Sequence, residues 1–290
     1  MGMAKLLRIN QEWDDAEVFF NRLVELYPDF IDGRSERARF YRIRARLAEA
    51  LADMDTAKRL NPADYWIAID RGNILLDMGR RADALEEFSR AVEINPDEFI
   101  AYVFTAGLKD ELGDLDGAES HYAILARLRP EYHYALEGLG LHKMRTGRWI
   151  EGRDIFMEAF RRAPSEYHYG LLAGINWIRM GDLGGARAFL NQALGKVTRD
   201  TLEWYMLRLY HDLTVRNYVG ENDMLQRINR EEDQDLKARM FFYMSTYYDL
   251  RGNTTLANRY FLMVNEMNRR AIPEWRLNNW ILSSRNLLPF

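Results

Sequence analysis

Residues 65–96 read YWIAIDRGNILLDMGRRADALEEFSRAVEINP. Apolar side chains recur there at helical spacing rather than in alternation, which indicates helices with one buried face. Gly79 lies between two such runs, and Pro96 ends the second. Glycine supplies a left-handed cap after a helix, and proline stops a helix because it lacks an N–H group. The stretch therefore predicts two antiparallel helices joined by a tight turn.

The same punctuation recurs along the chain with a period of 34 residues. Prolines and glycines form two lattices, and small residues inside the second helix of each pair form a third, where they allow two helices to cross closely. The positions are Pro28, Pro62, Pro96, Pro130 and Pro164; Gly79, Gly113, Gly147 and Gly181; and Ala16, Ala50, Ala84, Ala118, Gly152 and Ala186. Aromatic residues four positions after the small ones are expected to fill the space beside them: Phe20, Phe88, Tyr122 and Phe156.

Segment 65–96 resembles the tetratricopeptide repeat (TPR), and its matching positions are Gly72, Leu75, Gly79, Ala84, Phe88, Ala91 and Pro96. The resemblance extends over roughly Met3 to Val264. It implies an all-α fold, a right-handed superhelical α-solenoid of about seven to eight antiparallel helix pairs.

The repeat register divides the chain into segments. Residues 31–196 are expected to form a consensus-like array of the repeats 31–62, 65–96, 99–130, 133–164 and 167–196. Residues 201–234 are expected to form a degenerate repeat, 235–268 a TPR-like helix pair, and 272–290 a C-terminal capping helix. Residues 1–28 form a partial repeat, because Met3 to Ile9 supplies only half of a first helix. Either this is a half-repeat cap, or an upstream export signal or membrane anchor has been removed.

Composition argues against several classes of function. The 40 basic and 44 acidic residues give a net charge of -4, so no general attraction to nucleic acid or anionic lipid is expected. There is no cysteine, which excludes thiolate metal sites and a cysteine nucleophile. We find no phosphate-binding loop, serine elbow or metal-ligand spacing, and so expect no catalytic residue, no metal and no cofactor.

No apolar run in the sequence is long enough to span a bilayer, so we expect no membrane insertion by this chain. The compartment stays open between cytoplasm and periplasm. Membership of a membrane complex would require an N-terminal segment that is missing here.

In TPR proteins the first helices of successive repeats line a concave groove. By this resemblance the groove would contain Trp66, Ile69, Asn73, Ile100, Val103, Phe104, Tyr134, Leu141, His168, Leu171, Ile175, Tyr205 and Leu209. Their apolar and aromatic character predicts a surface for a protein segment or peptide. The sequence is therefore interpreted as a non-enzymatic scaffold or adaptor, such as TPR proteins provide in bacteria.

Two alternatives to this groove remain. The apolar residues would instead be core if they packed on second helices or on a groove wall narrowed by tight winding. A carrier of an apolar small molecule is the other alternative. Recognition of a C-terminal carboxylate is not expected, because Ile69 stands where TPR proteins of that kind have lysine.

Six arginines lie within the 13 residues from Arg34 to Arg46, and within that run only Glu36 opposes them. Arg39, Arg42 and Arg46 share one helical stripe, which the resemblance directs towards the groove. One interpretation is a solvated face paired with nearby carboxylates such as Asp14, Asp15 and Glu49. The other is a site for an acidic peptide or phosphate. Binding of nucleic acid is not expected.

The tetrapeptide Glu-Tyr-His-Tyr occurs twice, at Glu131 to Tyr134 and at Glu166 to Tyr169. We interpret both copies as aromatic residues at helix starts that pack on the preceding proline turn. A metal or acid/base pair is disfavoured because the histidines lack ligand spacing.

Overall fold

The computed structural model describes residues 13–288. This range is 77% helical, with 16 helices and no strand, which confirms the all-α prediction. The chain divides into two compact units, the first ending at Pro130 and the second beginning at Glu131. The predicted half-helix from Met3 to Ile9 lies outside the described residues.

Unit 1 contains seven described helices. They are α1 (Trp13–Leu26), α2 (Ile31–Ile43), α3 (Leu47–Leu60), α4 (Tyr65–Asp77), α5 (Arg81–Ile94), α6 (Phe99–Leu112) and α7 (Leu115–Leu128). Helices α2 and α3, α4 and α5, and α6 and α7 pack as pairs, and α1 packs on α2. The first helices of the three pairs are α2, α4 and α6.

Unit 2 contains nine described helices. They are α8 (His133–Arg145), α9 (Trp149–Arg162), α10 (Tyr167–Arg179), α11 (Leu183–Leu194), α12 (Leu202–Leu213), α13 (Glu221–Arg230), α14 (Gln234–Leu250), α15 (Thr254–Glu266) and α16 (Pro273–Ser284). Helices α8 to α15 form four pairs, and α16 packs on α15 and α14. It also contacts α8, the first helix of the unit.

Proline and glycine act as the sequence predicts. Second helices end two residues before the lattice prolines, as α5 does before Pro96. Gly79 has a φ of 75°, the left-handed conformation that reverses the chain, and the other lattice glycines share it. In the turn between α2 and α3, the non-glycine residue Ala45 takes this conformation with a φ of 56°. The turn geometry is therefore kept where the glycine is absent.

The small residues form close helix crossings. Ala50, Ala84 and Ala186 are fully buried, as are the rings of Phe88 and Phe156. Each ring lies against a glycine of the preceding first helix: a Cβ atom added to Gly72 would lie 2.8 Å from Phe88, and one added to Gly140 would lie 2.6 Å from Phe156. Tyr122, predicted to fill the same kind of space, is only half-buried.

On α9, Glu158 forms surface ion pairs with two arginines. These pairs make a prediction about the stability of the protein in acid possible. Glu158 accepts hydrogen bonds from Arg161 at 2.6 Å and from Arg162 at 2.7 Å. The hydrogen bond from Arg161 is the main cause that lowers the pKa of Glu158 from 4.5 to about 2. Because the folded-state pKa is depressed, the stabilisation is complete above the unfolded pKa and is lost as the pH falls towards 2.

We expect Glu158→Gln to lower the free energy of unfolding at pH 7 by about 0.2–1 kcal/mol, a small value because Arg161 is largely exposed. The loss should shrink between pH 4.5 and pH 2. Urea denaturation of both proteins across this range measures it, with 1 M salt at pH 7 as a screening control. A difference that stayed constant with pH would contradict the ionic origin.

Candidate functional site

The predicted groove residues of unit 1 fall into two groups. Trp66 and Ile100 occupy equivalent places in α4 and α6 and are 43% and 40% exposed. Asn73 and Val103 lie on the same faces of these helices and are half-buried. We call the surface formed by these four residues the first-helix face of unit 1.

Two other predicted groove residues of unit 1 belong to its core. Ile69 is 3% exposed and packs with Leu75, Phe88 and Ala101. The ring of Phe104 stacks on Phe88 with centroids 4.4 Å apart. The expectation that Ile69 lies on an exposed inner face is wrong, because the contact between neighbouring repeats covers it.

Local structure fixes Trp66 at the start of α4. The side chain of Asp64 accepts a hydrogen bond from the Trp66 backbone N–H at 2.8 Å, which caps the helix. The ring of Tyr65 lies 5.1 Å from the Trp66 ring, centroid to centroid. Trp66 borders a cavity of about 440 Å³ between α2 and α4, whose wall includes Ile31, Arg39 and Asp70.

The three arginines of the predicted basic patch are all paired with carboxylates. Arg39 binds Glu36 at 2.9 Å and Asp70 at 2.6 Å. Arg42 binds Asp77 at 2.5 Å. Arg46 lies 2.6 Å from Glu17 and 2.8 Å from Glu49. The arginine run is therefore opposed by carboxylates from helices α1, α3 and α4 as well as by Glu36.

Two of the three arginines outside this stripe meet a buried carboxylate. Asp53 on α3 is 3% exposed and lies 3.1 Å from Arg34 and 2.6 Å from Arg37. The repeat pattern expects an apolar residue at the position of Arg37. The charge of Arg37 is tolerated there because Asp53 compensates it. The geometry favours the paired-surface interpretation over an acidic-peptide site.

Carboxylates outnumber cations around the Trp66 cavity. Asp32, Glu36, Asp64 and Asp70 line it, against the single guanidinium of Arg39. Burial raises the pKa of Asp70 above its ordinary value, and the hydrogen bond from Arg39 opposes this rise. Sequence reasoning identified the arginines but not that Asp32, Asp64 and Asp70 lie in the wall of one cavity beside them.

In unit 2 most of the predicted groove residues are buried. The buried residues are Leu141, His168, Leu171, Ile175 and Leu209, each at most 3% exposed. For these five the expected exposure is wrong. The reason is visible at Ile175, which lines a cavity together with Phe242 of α14 and Leu277 of α16. At this position α14 and α16, which follow later in the chain, cover the first-helix side of unit 2, as the narrowed-groove alternative expects.

Two predicted residues of unit 2 remain accessible. Tyr134 is 51% exposed, and its ring lies 4.3 Å from that of His133. Tyr205 is half-buried, with the Arg227 guanidinium 3.7 Å from its ring centroid and its hydroxyl donating to Asp200 at 3.0 Å.

The two Glu-Tyr-His-Tyr segments meet in one buried hydrogen-bond network. The Tyr169 hydroxyl donates to Glu137 Oε2 at 3.2 Å and lies 2.8 Å from His133 Nδ1. His168 Nε2 lies 3.1 Å from the same Glu137 oxygen. Burial raises the pKa of Tyr169, so its hydroxyl stays protonated at neutral pH. The network joins α8 to α10, and sequence reasoning missed the part that Glu137 plays in it.

The sequence profile of the tetratricopeptide repeat matches residues 69–133 and 108–166. A solved tetratricopeptide repeat protein from Parabacteroides merdae ATCC 43184 has the same fold over 86% of this chain and 98% of its own, with a TM-score of 0.57 and 17% identity. The chain therefore contains tetratricopeptide repeats over residues 69–166 and has the fold of TPR proteins. This assigns the paired helices of both units to the TPR type of α-solenoid.

Other relatives of this TPR protein are similar over shorter stretches. The solved structure of YrrB, described as a TPR protein with an unusual peptide-binding site, covers 65% of the chain and 97% of its own length, with a TM-score of 0.55 and 16% identity. Human Superkiller complex protein 3 is 29% identical over 104 residues, which are 36% of this chain and 7% of that protein. Rat DnaJ homolog subfamily C member 3 is 31% identical over 104 residues, 36% of this chain and 21% of that protein. The TPR protein thus matches a small part of these curated relatives.

Among residues 13–288, no helix combines the length and apolar character needed to cross a membrane. The repeats support a protein-interaction scaffold.

Proposed function

We propose that this TPR protein binds a segment of another protein across the first-helix face of unit 1. The observation that carries the proposal is the exposure of Trp66 and Ile100, at 43% and 40%, on the first helices of successive repeats. Most large apolar side chains of these helices are buried or half-buried. Apolar side chains that are exposed close together often mark a surface that a partner covers.

The composition of the face suits a peptide. Trp66 and Ile100 offer two apolar anchors one repeat apart, and aromatic anchors dominate the affinity of many interfaces. Asn73 lies half-buried on the same side of α4 and has both a donor and an acceptor for a peptide backbone. In this proposal Val103 completes the apolar surface, while Ile69 and Phe104 support it from the core.

The predicted residues of unit 2 take different roles in the proposal. Within unit 2, Tyr134 is an accessible residue that offers a separate contact, and Tyr205 has a half-buried ring. Leu141, His168, Leu171, Ile175 and Leu209 support the fold rather than contact a partner directly. The basic stripe of Arg39, Arg42 and Arg46 acts through its ion pairs and does not recognise an acidic peptide.

A carrier function is the second candidate, and the cavity in unit 2 favours it. This cavity measures about 230 Å³ and includes Trp149, Phe242 and Trp280 in its wall. Ligand pockets usually measure about 300–1,000 Å³, so the space suits only a small aromatic or aliphatic molecule. Native mass spectrometry of the purified protein tests this candidate, since a retained small molecule would support it.

The scaffold proposal is tested with paired variants of the whole chain. A partner captured by the wild-type protein is identified, and its affinity is then measured by isothermal titration calorimetry. We expect Trp66→Ala with Ile100→Ala to weaken binding by about 2 kcal/mol, roughly thirty-fold, because both anchors are lost.

The matched control is Val18→Ala with Leu60→Ala, which removes two exposed apolar side chains of unit 1 from α1 and α3. The control should bind normally. Tyr134→Ala is measured alone and reports whether unit 2 contributes. Undiminished binding by a folded Trp66→Ala, Ile100→Ala variant would place the site elsewhere.

A further inference from the structure

Helix α16 occupies the side of unit 2 that an open TPR array would offer to a partner. It contacts α14, α15 and, across the unit, α8. Its residues Leu277, Trp280 and Ile281 line the cavity whose opposite wall comes from α8, α10 and α14. The chain thus supplies its own helix to this groove.

Polar contacts fix both ends of α16. At its start, the buried carboxylate of Glu274 accepts a hydrogen bond from the Tyr243 hydroxyl at 2.9 Å and lies 3.7 Å from Arg239. Just after its last turn, Arg285 donates to Asp249 and to Asn258, both at 2.6 Å. These contacts set the register and direction of the helix in the groove.

The central contact of α16 is only partly apolar. Asn278 is fully buried and donates to the Phe261 carbonyl at 3.0 Å. Leu277 and Leu282 are buried as well, but Ile281 is only half-buried. The cavity of about 230 Å³ beside the helix shows that its side chains do not fill the groove. Interfaces that allow one part of a chain to move against another are more polar than a domain core. The contact of α16 shares this character because Glu274 and Asn278 are buried in it.

We infer that α16 is a displaceable occupant of a helix-binding groove in unit 2, and that an amphipathic helix of a partner protein takes its place. The partner helix presents the face seen on α16: a carboxylate in its first turn, then leucine, a polar amide, leucine, and an arginine at its end. This inference does not depend on the proposed peptide site of unit 1, because the two surfaces belong to different units.

Hydrogen exchange of the wild-type full-length chain tests the first half of the inference. A displaceable helix opens without unfolding its neighbours. The amides of α16 are therefore expected to exchange at least tenfold faster than the core amides of α14 and α15. Equal exchange of the three helices would show that α16 opens only with the whole unit and would overturn the inference.

A peptide supplied in trans tests the second half. Leu277→Ala with Arg285→Gln changes α16 and the residue that follows it, and it keeps every groove residue of α8, α10 and α14. A fluorescent peptide with the native sequence of residues 272–288 should bind this variant at least tenfold more tightly than it binds the wild type. Ser283→Ala, at an exposed position of α16, serves as the matched control and should behave as the wild type does.

A peptide carrying the same two substitutions should bind neither protein. Hydrogen exchange of α14 and α15 reports whether the variant remains folded. Absence of peptide binding to a variant whose α16 has opened would overturn the proposed groove. Loss of this binding would leave the Trp66 and Ile100 measurements unaffected, so the two proposals fail separately.

Discussion

Phe156→Ala is expected to lower the free energy of unfolding by about 3–5 kcal/mol. Phe156 is fully buried between α9 and α8, and its ring occupies the space that the missing side chain of Gly140 leaves open. The ring also lies 6.4 Å from that of Tyr169, centroid to centroid. Because Gly140 has no side chain to move into the void, the cavity created by the substitution should collapse little.

Ile150→Ala is the matched control, since this residue also lies on α9 but is 59% exposed. Its cost should stay within about 0.5 kcal/mol, as for ordinary surface positions. Urea denaturation followed by circular dichroism measures both variants. A cost for Phe156→Ala similar to that of Ile150→Ala would show that the aromatic lattice does not hold the helix pairs together.

Asp53→Ala is expected to destabilise the protein by about 2–4 kcal/mol. The side chain of Asp53 is 4% exposed, and those of its partners Arg34 and Arg37 are 15% and 18% exposed. The hydrogen bond that Arg37 donates to Asp53 is the main cause that raises the pKa of Arg37. Removal of the carboxylate leaves two poorly solvated guanidinium groups without their shared counter-charge, and breaking buried pairs costs about 3–5 kcal/mol.

Asp77→Ala removes a carboxylate from Arg42 in the same arginine run, but here both side chains are about two-fifths exposed. Water replaces the lost partner, so the cost should be below about 1 kcal/mol. Thermal and urea unfolding of the two variants compares them directly. Equal costs would mean that burial does not decide the strength of these pairs.

The fold could be predicted from sequence because each repeat carries its own punctuation. Pro96 ends α5, and Gly79 caps the turn before it, through local chemistry that needs no distant residue. The glycine pattern does not predict every turn. At Ala45 a left-handed turn forms although no glycine is present. Tertiary packing around the turn overrides the local preference.

Exposure at the candidate site could be predicted only in part. Ile100 and Leu171 both stand on first helices at predicted groove positions, yet one is 40% exposed and the other is fully buried. In unit 2, α14 and α16 cover the first-helix side around Ile175, and no repeat period specifies how tightly an array winds. The polar residues Glu274 and Asn278 in the C-terminal helix were the sequence signal that could have indicated that this helix covers other helices of unit 2.

The ion pairs of the arginine run had a clearer signal. Arg39 pairs with Asp70, 31 residues later, and Arg42 pairs with Asp77, 35 residues later, so both partners lie about one repeat away. Because equivalent helices of successive repeats are neighbours, carboxylates about one period downstream of a cation are its natural partners. This spacing makes Asp70 and Asp77 candidate partners, although Arg39 also pairs with Glu36 on its own helix.

Because α16 is the last described helix of unit 2, it can cover the other helices of this unit only late in protein synthesis. Seven helices separate α16 from α8, so the ribosome completes α8 to α15 before the helix that covers them emerges. At about 5–20 residues per second, the stretch from Phe242 on α14 to Leu277 on α16 takes about 2–7 seconds to synthesise. During this time the cavity wall containing Ile175 and Phe242 lacks its cover, and exposed apolar surface on a growing chain invites aggregation or chaperone binding. Unit 1 emerges first and has its own core, so the vulnerable phase of translation belongs to unit 2.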